Sequence, residues 1–377
     1  MQYRRFGRTN RQLSVFSLGT MRYLTSVAVA QQVIRAAIAH GINHIETAQG
    51  YGNSEQYLGQ AITQGIGIDR DPLCITTKIT PTATAKQMAV KIERSLSNLG
   101  LPFVDCLAIH GVNTQQHLDW IVAPEGCMAA VREAVAQGKV RHVGFSTHAP
   151  LDIILAAIAT DQFEFVNLHY YTFFQRNEAA IALAHAKDMG IFIISPADKG
   201  GMLYTPPERL RQTCEPFSPL HLNYRFLLSD RRITTLSVGP ATADELTDPL
   251  QVADQTGPLS PQEQAALDRL HQQETQTLGN ERCAQCYQCL PCPESINIPE
   301  VLRLRNLAIA HDMQAFGQYR YRMFENAGHW FPGRKGDRCT ECGDCLPRCP
   351  EHLDIPRLLQ DAHARLNGPK RRRLWED

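Results

Sequence analysis

The chain is short of several features that would have decided its class at once. No apolar run approaches the ~20 residues that cross a bilayer. The basic opening, Met1–Gln12, is not followed by the apolar core of a secretory signal. We therefore expect a cytoplasmic protein without a membrane partner. Charge of one sign is also missing, with 38 Lys and Arg against 38 Asp and Glu, so no long-range field draws the chain to nucleic acid. The basic stretch Lys370–Arg373 reads as a solvated tail rather than a nuclear signal. No G-x-G-x-x-G motif stands between a strand and a helix, which leaves out the usual dinucleotide fingerprint. Tryptophan is scarce, and Trp120, Trp330 and Trp375 read as packing or surface residues.

Cysteine is plentiful and unevenly spread. Of twelve, Cys74, Cys106, Cys127 and Cys214 are isolated, and the first two sit inside apolar runs as core residues do. The other eight fall between Cys283 and Cys349. In a reducing compartment such a cluster points to metal or redox chemistry rather than disulfides. Residues 1–275 and 276–377 are accordingly expected to be separate domains.

Across the first 275 residues, short runs rich in Ile, Val and Phe alternate with longer amphipathic stretches. The runs are Ser14–Gly19, Ile42–Glu46, Cys74–Lys78, Val104–His110, Val140–Ser146, Phe165–His169, Ile191–Ser195 and Thr235–Gly239. Helices are predicted over Thr84–Leu99, Leu151–Thr160, Asn177–Met189, Ala241–Ala253 and Pro261–Glu274. Eight β-then-α units over about 250 residues favour a (β/α)8 TIM barrel over the alternative, an open doubly wound sheet. In the tail, helices are predicted over 298–326 and 356–366.

Three of the predicted strands end in an ionisable residue: Glu46, Lys78 and His110. Tyr51 follows in the loop Gly50-Tyr51-Gly52. Barrel chemistry belongs at the C-terminal strand ends, and these four form an acid–base device. An ammonium at Lys78 lowers the pKa of the Tyr51 phenol. Glu46 holds Lys78 in place, and His110 can donate a hydrogen bond to a substrate oxygen. Singly, each also fits an ordinary ion pair or a core histidine.

Gly41-Ile42-Asn43-His44-Ile45-Glu46-Thr47-Ala48 with Tyr51-Gly52 and Ser54-Glu55, joined to Lys78 and His110, resembles the most specific motif of the aldo-keto reductases. Tyr3–Thr9 and Ser17–Met21 resemble that family's opening hairpin and first strand. The resemblance covers residues 3–272. It implies that Tyr51 is the general acid, Lys78 its modulator and His110 the carbonyl-orienting group. It also implies a nicotinamide cofactor across the barrel mouth, NADP ahead of NAD. Gly19, Thr20, Met21 and Gly239 would lie near that cofactor. Ser146 and Asn167 would hold the carboxamide, and Ser195, Pro196 and Lys199 would line the pyrophosphate side. The chain departs from the family in having Glu46 where Asp is usual and Asn167 where Gln is usual. Ile194 replaces a stacking aromatic, Pro249 an adenine-contacting Asn, and the stretch after Gly239 has no Lys or Arg for a 2′-phosphate.

The cysteines form two runs, Cys283-x2-Cys286-x2-Cys289-x2-Cys292-Pro293 and Cys339-x2-Cys342-x2-Cys345-x3-Cys349-Pro350. The second is the bacterial ferredoxin spacing in full. The first has one residue fewer in its last gap. A pair of four-cysteine zinc sites is the rival reading, but such sites generally separate two knuckles by a longer loop. The tail resembles an α-helical ferredoxin, which implies two [4Fe-4S] clusters. One would be held by Cys283, Cys286, Cys289 and Cys349, the other by Cys339, Cys342, Cys345 and Cys292.

The leading expectation is an NAD(P)-dependent oxidoreductase that reduces a small carbonyl, or oxidises an alcohol, by hydride transfer, with 4Fe-4S clusters for electron transfer. Clusters move single electrons and nicotinamide moves two. Two further readings stay open: an electron-transfer protein, partnered by a ferredoxin or flavoprotein, whose barrel is a docking module, and a reductase whose clusters are structural.

Overall fold

The computed structural model describes residues 1–368; Lys370–Arg373 and Trp375 lie outside them. Among the described residues ten strands are formed: β1 Tyr3–Arg5, β2 Gln12–Ser14, β3 Phe16–Gly19, β4 His44–Glu46, β5 Cys74–Ile79, β6 Val104–His110, β7 Val140–Ser146, β8 Phe165–Leu168, β9 Gly190–Ile193 and β10 Thr235–Val238. β1 and β2 make an antiparallel hairpin. The other eight close into a parallel barrel in the order β10-β3-β4-β5-β6-β7-β8-β9. Each predicted apolar run contributes one barrel strand, and most strand residues are buried on both faces, as in parallel sheets covered by helices.

Local signals fix several helices. Thr84 caps Ala85–Leu99 by accepting from the Gln87 amide at 3.4 Å, and Gly100 ends it at φ 61°. Ser260 and Glu263 form a reciprocal capping box at the start of Pro261–Leu278. Two predicted helices are interrupted. Ala241–Ala253 becomes two single turns, Ala243–Leu246 and Thr247–Leu250, because Pro249 lacks the amide that would extend a helix. The stretch 298–326 divides into Ile298–Ala310 and Gln314–Tyr321, with Asp312 between them at φ 59°.

By compactness the chain groups differently from the expected division at residue 275. One unit comprises Met1–Gly200 and Asn223–Pro258; the other comprises Gly201–Leu222 and the chain from Leu259 onward. The reason is packing: Pro261–Leu278 lies against Glu208–Cys214 and Ile298–Ala310. Its Arg269 donates to the carbonyls of Thr213 and Glu215.

Inside the barrel, side chains at alternate strand positions stack in layers. The floor is apolar: Phe6, Leu13, Cys74, Cys106, Ala108, Phe165 and Phe192. The Cys74 and Cys106 sulfurs are 3.8 Å apart there, as core residues. A polar layer follows, in which His44 bridges Ser17 Oγ at 2.6 Å and Thr76 Oγ1 at 2.7 Å, and Ser17 meets Thr235 at 2.7 Å. The next inward positions on β4, β5 and β8 are Glu46, Lys78 and Asn167, at the mouth.

In the second unit, Asn297 caps Ile298–Ala310 and Asp354 caps Ile355–Leu366, each followed by Ile-Pro at the helix start. The repeated Cys-Pro-x-x-x-(Asn/Asp)-Ile-Pro segment is thus one loop-to-helix design used twice. Arg305, almost fully buried, ties the two copies, pairing with Asp361 at 2.6 Å and Glu281 at 2.5 Å.

Burial, helped by the nearby Lys78 and Arg11 charges and opposed by Asp105, pushes the His44 imidazole down to about 3. Between that value and its ordinary 6.5 the unfolded chain binds a proton that the folded chain refuses, so stability falls as pH falls. Acid titration of the unfolding free energy is expected to show a component of roughly 1.4 kcal/mol per pH unit below about pH 6.5. A His44→Gln variant should lose that component; an unchanged slope would mean the imidazole is not held neutral.

Candidate functional site

The barrel closure brings together residues that the sequence spreads over more than a hundred positions. Glu46 ends β4 and faces Thr76 of β5; Lys78 lies two residues further along β5, on the same inward side. The Lys78 ammonium forms a close ion pair with Glu46 Oε1, and both side chains are buried. Tyr51 reaches the same spot from the loop after β4. The Lys78 Nζ sits 4.7 Å from the centre of the Tyr51 ring, and the two side chains are also hydrogen-bonded. His110, at the end of β6, meets Tyr51 edge-on, with ring centres 5.6 Å apart at 86°. All four predicted catalytic residues therefore converge.

One expectation needs correcting. Lys78 does favour the Tyr51 phenolate, but burial of the phenol outweighs it and Glu46 adds to the rise, so the Tyr51 pKa lies above its ordinary value. Lys78 is also raised: burial opposes its charge, but Glu46 and Tyr51 together more than compensate. The site therefore holds a neutral phenol beside a firmly charged ammonium. The Lys78 ammonium offsets part of the cost of forming the phenolate there.

The residues expected round a nicotinamide form a second arc. Gly19 pairs with Glu46 across β3 and β4. The Thr20 hydroxyl donates to the Glu46 carbonyl at 3.0 Å and accepts from Ser54 at 2.6 Å. Met21 is exposed. His110, Ser146 and Asn167 stand level on β6, β7 and β8. Ser146 Oγ accepts from the Gly111 amide at 3.0 Å, which leaves its proton to give. Asn167 Nδ2 donates to Glu46 Oε1 at 3.1 Å, while its buried Oδ1 has no partner among the described residues. A hydroxyl donor beside an orphan carbonyl acceptor fits the two ends of a primary carboxamide. Ser195, Pro196 and Lys199 lie in the loop after β9, where Ser195 has φ 52°, the Lys199 amide donates to the Ser195 carbonyl at 3.0 Å and Pro196 accepts from Asn223 at 3.1 Å. Those bonds hold the loop to itself and to Asn223, not to the Tyr51 group.

Two features escaped the sequence reading. Arg22 donates to the Gly239 carbonyl at 3.0 Å and forms a two-pronged pair with Glu245. The stretch after Gly239 lacks a cation of its own, but the fold delivers one from 217 residues away. The other is a hydrogen-bonded run at the ends of β7 and β8, where His148 and His169 meet at 2.8 Å and His169 bonds Tyr171. Their positions two residues beyond Ser146 and Asn167, on the same side of each strand, were the available signal.

In the second unit the two cysteine loops turn alike. Gln285 and Tyr287 adopt positive φ in the first, as Glu341 and Gly343 do in the second. Ser295 and His352 do so at matching places after each Cys-Pro. These turns bring thiols from both runs together. Burial raises Cys283 to about 11, and Cys286 and Cys349 are near enough to raise it further. Cys345 is raised by burial and by its neighbours Cys339, Cys292 and Cys342. The last of these groups lines one pocket. Cys289, pushed up to about 12 chiefly by burial, feels Cys283 and Cys286 and also Cys345. Cys283 thus has Cys349 of the other run among its neighbours, and Cys345 has Cys292. Among the described residues no three His, Cys, Asp or Glu are gathered round a point as a single ion would gather them. Cys292, Cys339, Cys342 and Cys345 line one pocket, and four thiolates are the donor set of a cubane cluster.

Residues 16–272 match the model of the aldo/keto reductase family, and residues 282–353 that of the 4Fe-4S dicluster domain. The chain is 26% identical over 166 residues to L-glyceraldehyde 3-phosphate reductase of Escherichia coli, covering 40% of this chain and 46% of that one. It therefore spans about half that relative's length. It is 24% identical over 306 residues to the uncharacterized oxidoreductase YrpG of Bacillus subtilis, covering 67% of this chain and 91% of that one. Its fold superposes on aldo-keto reductase AKR11C1 of Bacillus halodurans with a TM-score of 0.62 at 20% identity, covering 71% of this chain and 96% of that one. The chain belongs to the aldo/keto reductase family and carries a 4Fe-4S dicluster domain after its barrel.

Proposed function

We propose that the protein is a nicotinamide-dependent oxidoreductase that interconverts a small carbonyl compound and its alcohol at the barrel mouth. The observation that carries this reading is the buried Glu46–Lys78 pair with Tyr51 against the ammonium and His110 against the phenol ring. A bound nicotinamide supplies or accepts the hydride. Tyr51 gives its hydroxyl proton to the carbonyl oxygen as the carbon is reduced. The Lys78 ammonium stabilises the phenolate left behind, and Glu46 keeps that ammonium charged and in place. His110 orients the oxygen by hydrogen bonding. Ser146 and the orphan Asn167 Oδ1 grip the carboxamide. Arg22 beside Gly239 is already committed to Glu245, which supports NAD at least as well as NADP.

The thiol quartets are proposed to hold two [4Fe-4S] clusters, one on Cys283, Cys286, Cys289 and Cys349, the other on Cys339, Cys342, Cys345 and Cys292. Such clusters supply one-electron chemistry. Cys345 is near enough to act on Cys289, and electrons would pass between the clusters and onward to a ferredoxin or flavoprotein partner.

Tyr51→Phe is expected to lower kcat/KM by about 10³-fold or more while cofactor binding, followed by nicotinamide fluorescence, is kept. Undiminished turnover would refute the assignment. Because the acid must be protonated and burial raises its pKa, wild-type carbonyl reduction should hold its rate through neutral pH and fall only above about pH 10.

Anaerobically purified protein should contain about eight irons and eight sulfides per chain. Cys349→Ser should perturb the cluster of the first run, and Cys292→Ser that of the second. Iron analysis and EPR of the reduced variants read this directly. Loss confined to each cysteine's own run would overturn the crossed pairing. Reduction of the clusters by NADPH or NADH would couple the two centres, whereas clusters indifferent to either during steady turnover would be structural.

A further inference from the structure

Glu46 and Asn167 stand on opposite walls of the barrel. In the closed order β10-β3-β4-β5-β6-β7-β8-β9, strands β4 and β8 are four places apart, the greatest separation an eight-strand ring allows. Yet Asn167 Nδ2 donates to Glu46 Oε1 at 3.1 Å, both side chains being almost fully buried. The bond therefore crosses the bore, and the oxygen it reaches is the one that pairs with Lys78. The span between facing walls is set by the backbone, so the summed length of the two side chains decides whether the bond can form. Against the Asp and Gln that the resemblance leads one to expect, β4 carries one methylene more and β8 one fewer. The two departures offset each other along a single line.

We propose that Asn167 is a positioning residue that braces Glu46 from across the barrel, fixing through it the Lys78 ammonium against Tyr51. This deepens the reductase reading and rests on it for its functional meaning. With the summed length fixed by the facing walls, shortening or lengthening one side chain alone would strain or break the bond. With one amide proton committed to Glu46, Asn167 keeps its Oδ1 for an incoming donor, so one side chain faces both the acid–base chain and the carboxamide position. The bond also limits how far the Glu46 carboxylate, one methylene longer than Asp, can swing from Lys78. In a buried site a loose carboxylate would leave the ammonium partly uncompensated.

The test is a mutant cycle on the full-length, cluster-loaded protein: Glu46→Asp, Asn167→Gln and the double variant, with Asn167→Ala as a second single. Two readouts are followed. One is the titration midpoint of Tyr51, taken from protein carrying 13Cζ-tyrosine, with the signal assigned by its disappearance in Tyr51→Phe. The other is kcat/KM on an aldehyde panel. Each single change is expected to displace the midpoint by roughly half a unit or more and to lower kcat/KM about tenfold. Asn167→Ala should move the midpoint upward, because Glu46 loses a donor and its charge bears more fully on the phenol. Glu46→Asp with Asn167→Gln should return both readouts to near wild type. A double variant as impaired as the product of its singles would overturn the brace. Should Asn167→Gln fail to fold, Glu46→Asp combined with Asn167→Ala replaces it, and effects that simply multiply would count against the proposal. If wild-type protein reduces no carbonyl, the reductase reading fails, while the Tyr51 titration still decides the brace.

Discussion

An ammonium ion taken out of water is the constraint on which the barrel's mouth depends. Lys78 is almost fully buried, and a cation there is tolerable only where opposite charge and hydrogen bonds replace its hydration. Glu46 supplies the charge, the Tyr51 oxygen a hydrogen-bond partner and its ring a polarisable face. Removing any of them would leave a buried charge uncompensated. Below this layer His44 meets the same problem in the opposite way, by remaining neutral between two hydroxyls. The barrel thus stacks an apolar floor, a neutral polar layer and a charged rim. A second charged group lies at the other end of β6, where buried Asp105 pairs with Arg11, Arg70 and Arg141.

The second unit is held by a different principle. Its helices pack round Val301, Leu304, Leu358 and Leu359, and Arg305 binds acidic groups from the start of the first cysteine run and from the last helix. The Arg348 guanidinium reaches from the second run to the Pro291 carbonyl in the first at 2.9 Å. The cysteine loops themselves carry little secondary structure. Thiols placed in two crossed quartets would make each cluster a staple between runs more than forty residues apart, so metal loading and folding would be linked. The Cys-Pro segment that follows each run ends in a helix cap, and so carries the loop directly into a packed element.

Much of this was legible in the chain. The strand runs, the cap at Thr84 and the stop at Gly100 depend on local periodicity and backbone preference. Glu46, Lys78 and His110 were visible because each ends an apolar run, where burial of a charge requires a reason. The cysteine spacing carried the donor set. Less visible were features set by more distant packing. Pro261–Leu278 is a well-capped helix in any setting, but its grouping with the second unit follows from what it packs against. Asp312 breaks a helix that periodicity would have continued.

The sequence by itself determined the alternation that makes a barrel, the ionisable residues at the strand ends and the two thiol runs, because each is a matter of residue type and short spacing. The tertiary structure alone decided the balance of forces. It desolvated the Tyr51 phenol enough that its pKa rises although Lys78 is beside it. It carried Arg22 to Gly239, joined Asn167 to Glu46 across the bore and set Cys349 near Cys283 and Cys292 near Cys345. Desolvation and through-space distance have no local signature in a linear chain; they come into being only when the strands close the ring.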